Sequence, residues 1–139
     1  NNDPLSVDGE GTIEIRRIQC AHIKNVEFIG KNDIYVKIRL EHGQWEDKTK
    51  TLEECGEKAD FTGLKFSIPI TQEVLQSDSI IVSICDHNNL SSDVVIGMAK
   101  IQLKQLIPEV NKVTHLPMNV TSNKGQTTGK IKVTLIAIM

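Results

Sequence analysis

No apolar run in this sequence approaches the roughly 20 residues of a membrane span, and no basic excess is present. Lys and Arg number 16 against 18 Asp and Glu, for a net charge of -2 over 139 residues. The first absence argues against a spanning helix. The second removes the bulk cationic attraction on which most nucleic-acid binders rely, so any affinity for anions must come from a local patch. Cysteine is scarce: Cys20, Cys55 and Cys85 are scattered, without a C-x-x-C pair. That is too little for a disulfide framework in a domain of this size, and the thiols are read as reduced and structural. No G-x-S-x-G elbow and no H-E-x-x-H occurs, and His22, His42, His87 and His115 are dispersed, so nothing predicts an enzyme. The string Gly125 to Lys130 imitates a phosphate loop but is one residue short between its glycines and has Ile131 where a Ser or Thr should stand. Asn-Asn-Asp-Pro at the start has neither an initiating Met nor a signal-peptide pattern. The sequence is therefore expected to be a domain of a larger chain.

What is present is β-branched. There are 18 Ile and 11 Val against 4 Ala, a bias toward side chains that pack well on a pleated surface and poorly in a helix. Apolar residues alternate at Ile13 and Ile15; at Ile34, Val36, Ile38 and Leu40; at Leu64, Phe66, Ile68 and Ile70; and at Ile131, Val133 and Leu135. Period two marks each as a half-buried strand. Ser79 to Asp86 and Val94 to Leu103 are more continuously apolar, as central strands are. Thr114 to Val120 and a segment near Trp45 to Leu52 bring the expectation to about eight strands. Turn-rich stretches at Asn25–Asn32, Glu54–Asp60, His87–Asp93 and Thr121–Gly129 have the spacing of a two-sheet sandwich. Only Leu103 to Val110 hints at a helical turn, stopped by Pro108. Residues 1–11 are expected to be a linker or disordered lead-in, and 12–139 one domain.

Three stretches together carry a resemblance: GKNDIYVKI at 30–38, DKTKT at 47–51, and ICDHNNLSSDVVIGMAKIQL at 84–103. In order and spacing they resemble the C2 family of calcium- and phospholipid-binding domains, over residues 12–138. One departure is Glu57-Lys58-Ala59-Asp60-Phe61, which replaces the family's usual stretch before its fourth strand. The resemblance implies an all-β, eight-stranded antiparallel β-sandwich. With Thr12–Ile18 as first strand and GKIKVTLIAI as last, it implies the type II permutation.

The resemblance also implies sites. Calcium would sit at one end of the sandwich, because a hard cation wants six to eight oxygens and no single strand presents them. Asp33 and Asp86 match the family's ligand positions. Glu27 and Asn88 stand where Asp is usual, and Val94 occupies the last aspartate position, with Asp93 beside it. Fewer carboxylates imply weak calcium binding or none. The plain alternative for Asp33 and Asp86 is loop capping. Phe28 and Leu90 fall where the family often inserts side chains into lipid; the alternative for Phe28 is a minor core with Val26 and Ile29.

Period-two geometry sends Tyr35, Lys37 and Arg39 to the face opposite the apolar residues of their strand. Lys48 and Lys50 share a face on the next. If the two strands are neighbours, four cations converge on one concave face, resembling the family's lysine-rich headgroup site, with Tyr35 beneath the headgroup. The bland alternative is a solvated strand face. The expected function is a non-enzymatic, reversible membrane-targeting module that binds anionic phospholipids or phosphoinositides, with weak or absent calcium dependence. Such a module would be cytoplasmic, peripherally membrane-associated and monomeric. The rival is a calcium-independent protein–protein interaction scaffold, since degenerate members of the family bind proteins through a sheet face or an edge strand.

Overall fold

The computed structural model describes residues 10–139. In chain order its strands are β1 (Glu10–Ala21), β2 (Ile34–Leu40), β3 (Glu46–Lys48), β4 (Ala59–Phe61), β5 (Phe66–Thr71), β6 (Ser79–Asp86), β7 (Val94–Gln102), β8 (Val113–Thr121) and β9 (Thr127–Ile138). A short helix, α1 (Gln72–Ser77), follows β5, and a 3-10 helix spans Leu103–Glu109. All pairings are antiparallel.

Nine strands reduce to the eight that were expected. β4 pairs with Ile18–Cys20 of β1 and β5 with Glu10–Ile15, so the two share one side of the same strand. The break between them faces a bulge in β1 between Ile15 and Arg17, where Leu64 N–H reaches the carbonyl of Arg16 (3.1 Å). A bulge bends its strand and unpairs a residue, which interrupts the partner. The order β3-β2-β6-β7-β8-β9-β1-β4 is nominally continuous, but β7 and β8 are paired only at Met98–Thr121. Two layers result, β3-β2-β6-β7 and β8-β9-β1-β4/β5, packed as a β-sandwich. Within the described residues β1 is the first strand and its central partner is the last, β9, which fits the expected permutation. The expected lead-in over residues 1–9 lies outside the described residues, and Glu10 and Gly11 are already paired with Thr71 and Ile70.

The isoleucine bias builds the core. Ile13, Ile15 and Ile18 of β1, Ile34 and Ile38 of β2, Ile80 and Ile84 of β6 and Ile101 of β7 are fully buried between the layers; burying each contributes about 1.5–3 kcal/mol. Where the layers meet at the seam, Gly97 leaves no room for a side chain. A Cβ there would lie 2.6 Å from Val120 Cγ1, 2.9 Å from the Thr121 carbonyl, and against Thr128 Oγ1. That same Thr128 hydroxyl donates to the Ile96 carbonyl (3.0 Å).

Other details differ from the sequence expectation. The strand near Trp45–Leu52 is regular only over three residues; beyond it Thr49 bonds Val36 and Leu52 bridges Ile34. β4 arises inside the turn-rich stretch, since a three-residue strand with two buried positions is too short to show a period. α1 rests on Thr71, whose hydroxyl accepts from Val74 N–H (3.1 Å), and on buried Leu75. Pro108, expected to stop the helical turn, lies within the 3-10 helix, one residue before its last.

Candidate functional site

β1 ends at Ala21, β6 at Asp86 and β8 at Thr121, while β2, β7 and β9 begin from the same end of the sandwich. Three loops therefore gather there: 22–33, 87–93 and 122–126. The first two are tied together by His87 N–H to the Asp33 carbonyl (2.9 Å), and the first is tied to the start of β9 by Lys24 N–H to the Thr128 carbonyl (2.8 Å).

Asn32 organises the first loop. Wholly buried, it accepts from Val26 N–H (3.0 Å) and donates to the carbonyls of Lys24 (2.9 Å) and Gly56 (3.2 Å). It presents its neighbours Glu27 and Asp33 toward Asp86. Asp33 N–H donates to Asp86 Oδ1 (2.7 Å), and Asp33 Oδ1 accepts from Glu54 N–H (2.7 Å). Carboxylate oxygens of Glu27, Asp33 and Asp86 lie within 4.8 Å of one another. Asp86 is buried, and its Oδ2 has no donor. An unsatisfied buried carboxylate oxygen is costly. A proton on Glu27 would relieve it: sharing a hydrogen bond with Asp86 is the largest of the effects that raise the Glu27 carboxyl to about 7, followed by desolvation and the neighbouring carboxylates. A cation would do the same. The donor set is all oxygen and carboxylate-rich, which fits a hard divalent ion such as calcium, but with Asp33 Oδ1 and Asp86 Oδ1 already accepting N–H bonds four of the six carboxylate oxygens are left for an ion that prefers six to eight.

The other two sequence candidates for that site stand outside the trio. Asp93 Oδ2 accepts the Tyr35 hydroxyl, while Oδ1 accepts from Asn88 N–H (2.9 Å) and sits 3.2 Å from His87 Nδ1. The Tyr35 bond is the first cause holding the Asp93 carboxyl down to about 2, with the Asn88 N–H next. Asn88 turns its amide to the Ser92 carbonyl (3.1 Å). Val94, on the last aspartate position, offers no oxygen ligand from its side chain.

On either side of the trio the loop tips are apolar and bare. Phe28 is 98% exposed, Ile29 82% and Leu90 101%. The minor-core alternative for Phe28 does not form; only Val26 packs against the core. Ile29 was missed as a tip residue because in sequence it is one more isoleucine among many.

The basic face is smaller than expected. Lys37 and Lys48 are directly opposite one another across β2 and β3, both exposed. Tyr35 is buried beneath, with Lys48 Nζ 5.6 Å from its ring centroid. Its hydroxyl donates to Asp93. Arg39 does not join the lysines: it lies opposite Glu46 and reaches the Glu41 carbonyl (3.4 Å). Lys50 is exposed beyond the end of β3, on the far side of buried Thr49. A shallow cavity of about 330 Å³ is lined by Tyr35, Lys37, Lys48, Glu46 and Asp47. Two lysines thus face two carboxylates, where four cations were expected.

A second acidic grouping at the opposite end, Glu41, His42 and Asp78, serves the backbone. Asp78 accepts from the N–H groups of His42 (3.1 Å), Gly43 (3.1 Å) and Ser79 (2.7 Å). The three thiols are free, and burial raises each, Cys20 to about 12. A raised thiol pKa disfavours the thiolate, the nucleophilic form.

A family model for the C2 domain matches residues 11–118. A C2 domain of plant extended synaptotagmin 1 superposes with a TM-score of 0.75 at 16% identity, covering 94% of this chain and 95% of that one. Human GIVD cytosolic phospholipase A2, in complex with an inhibitor and terbium chloride, gives 0.73 at 15% identity over 94% of this chain and 17% of the phospholipase. A three-domain piece of extended synaptotagmin 2 gives 0.70 at 15% identity, over 93% and 27%. At such identities the structural likeness is one of fold. With the family match over most of its length, a two-layer antiparallel sandwich and an acidic site among the loops at one end, this chain belongs to the C2 domain family.

Proposed function

We propose that this domain is a reversible, non-catalytic membrane-targeting module that docks with its loop end toward an anionic bilayer. The observation that carries the reading is the exposure of Phe28, Ile29 and Leu90 at the tips of two adjoining loops. Large apolar side chains left this exposed are suited to the headgroup–acyl boundary, where full burial of each contributes about 1.5–3 kcal/mol. Lys37 and Lys48, with Lys50, supply attraction to anionic headgroups of about 1 kcal/mol per cation near the surface. Phosphatidylserine and phosphoinositides both present the phosphate they would meet.

The carboxylates of Glu27, Asp33 and Asp86 lie between those tips and repel an anionic surface. Calcium bound there would cancel the repulsion, and with three carboxylates in place it acts as a weak modulator. The domain thereby associates peripherally, and the described residues contain no helix long and apolar enough to cross a membrane. Co-sedimentation with neutral, phosphatidylserine-rich and phosphoinositide-containing vesicles, each in calcium and in chelator, tests the reading. Binding to anionic vesicles in chelator, strengthened modestly by calcium, is the expected result.

No binding under any condition would favour the protein-scaffold reading. That reading draws on Val94, Val95 and Met98, exposed along β7 beside the one-pair seam with β8.

A further inference from the structure

Asp93 belongs to the loop that follows Asp86, yet its carboxylate is turned away from the acidic trio and fully engaged elsewhere. Tyr35 holds one oxygen; Asn88 N–H and His87 hold the other. Tyr35 is itself fixed. It is buried on β2, its ring meets His87 edge-on at 6.5 Å, and Lys48 covers it. Asp86 Oδ2 meanwhile lacks a partner in the buried floor of the trio. The loop therefore carries a fourth carboxylate beside a site that is short of ligands; Asn88 and His87 belong to that same loop and can move with it, so the restraint from outside the loop is the Tyr35 hydroxyl.

We infer that Tyr35 is a latch that holds Asp93 out of the cation site, so that the loop 87–93 has a latched arrangement, seen here, and a released one in which Asp93 joins Glu27, Asp33 and Asp86. This rests on reading the trio as a divalent-cation site. A cation favours the released arrangement only by its greater affinity for it, and the latch lowers apparent affinity by the fraction of molecules released. Tyr35 is thus a positioning residue that sets the calcium threshold of the domain. The acidic side chains are sufficient for tighter binding, but one of them is withheld.

The test is a calcium titration by isothermal calorimetry, without vesicles, of the wild-type domain, Tyr35→Phe, Asp93→Asn and the double variant. Removing a hydrogen bond to a charged acceptor should tighten calcium binding in Tyr35→Phe by about 10- to 100-fold. The double variant should lose the whole gain and match Asp93→Asn. An unchanged or weaker Tyr35→Phe, a gain that survives Asp93→Asn, or no calcium binding by any of the four overturns the latch.

Tyr35 is the only tyrosine in the chain, so 3-fluorotyrosine labelling gives a single ¹⁹F resonance. It should move on calcium addition to the wild type and stay fixed in Asp93→Asn; a resonance unmoved at saturating calcium refutes release. This measurement decides the matter even if Tyr35→Phe folds poorly. Vesicle binding in chelator is independent of the latch, so its loss would sink the membrane reading alone, and a failed calcium cycle would sink the latch alone.

Discussion

Lys37 and Lys48 face each other across β2 and β3 with no carboxylate in ion-pairing distance among the described residues, whereas Arg39, further along the same face, lies opposite Glu46. Replacing both lysines by Gln removes two charges that make no ion pair with the nearby Glu46 and Asp47, at about 1 kcal/mol each near an anionic surface, or about 2 kcal/mol together. That corresponds to a loss of about 30-fold in partitioning to phosphatidylserine-rich vesicles at low salt. Arg39→Gln removes a single charge that lies opposite Glu46 and nearer the end of β2 away from the loops, and should change it by less than about threefold. The assay is vesicle co-sedimentation in chelator across a salt series. Near 0.1 M salt the screening length is about 10 Å and at 1 M about 3 Å, so the gap between wild type and the double variant should close as salt rises. Like charges placed directly opposite one another on a sheet are destabilising, so Lys37→Gln, which leaves Lys48 over the Tyr35 ring, should also raise resistance to urea by a few tenths of a kcal/mol. Weaker binding in a more stable variant cannot be ascribed to unfolding. Equal losses for Arg39→Gln and the lysine pair, or no loss for the pair, would refute the charge assignment on this face.

Ser in place of Phe28 or Leu90 should cut vesicle binding on the order of tenfold or more, independently of salt, and leave the melting temperature unchanged because neither side chain packs on the protein. Asn32→Ala removes one acceptor and two donor bonds inside the first loop and strands the groups they met; a stability loss of about 1–3 kcal/mol by urea denaturation and weaker calcium binding are the expected outcomes. On β1, Arg17 grips Asp60 through two bonds (3.0 and 2.7 Å), and this bonding holds the Asp60 carboxyl below its ordinary value. Since the folded-state pKa is lowered, the contribution of the pair is fully present above the ordinary aspartate value and lost as pH falls through the folded one. Denaturation of wild type and Asp60→Asn should therefore differ at pH 6 and draw together as the pH is lowered into the acid range. A gap that does not shrink at low pH would mean that Asp60 matters for some reason other than its charge.

Alternation and β-branching alone were enough to make this chain all-β and to identify which residues of β2, β5 and β9 face inward, because period two leaves one choice of face once a core must be buried. Periodicity says nothing of Glu27, Asp33 and Asp86; it was the resemblance to the C2 family that set them at one site, and the pairing of β2 with β6 brings Asp33 and Asp86 to adjacent strand ends. The short β4, α1 and the break opposite the bulge in β1 were not legible, being too brief to show a period and dependent on their partner strand. Nor was the sorting of the charged face. Lys37, Arg39, Lys48 and Lys50 are equivalent in sequence, and only the register of β2 against β3 puts a lysine opposite Lys37 and a glutamate opposite Arg39. Asp93 makes the same point at the site. Its sequence position, beside the missing ligand, suits a swing toward the ion, but the tertiary fold places a buried phenol within reach, and a charged acceptor in a loop takes the fixed donor that is nearest in space.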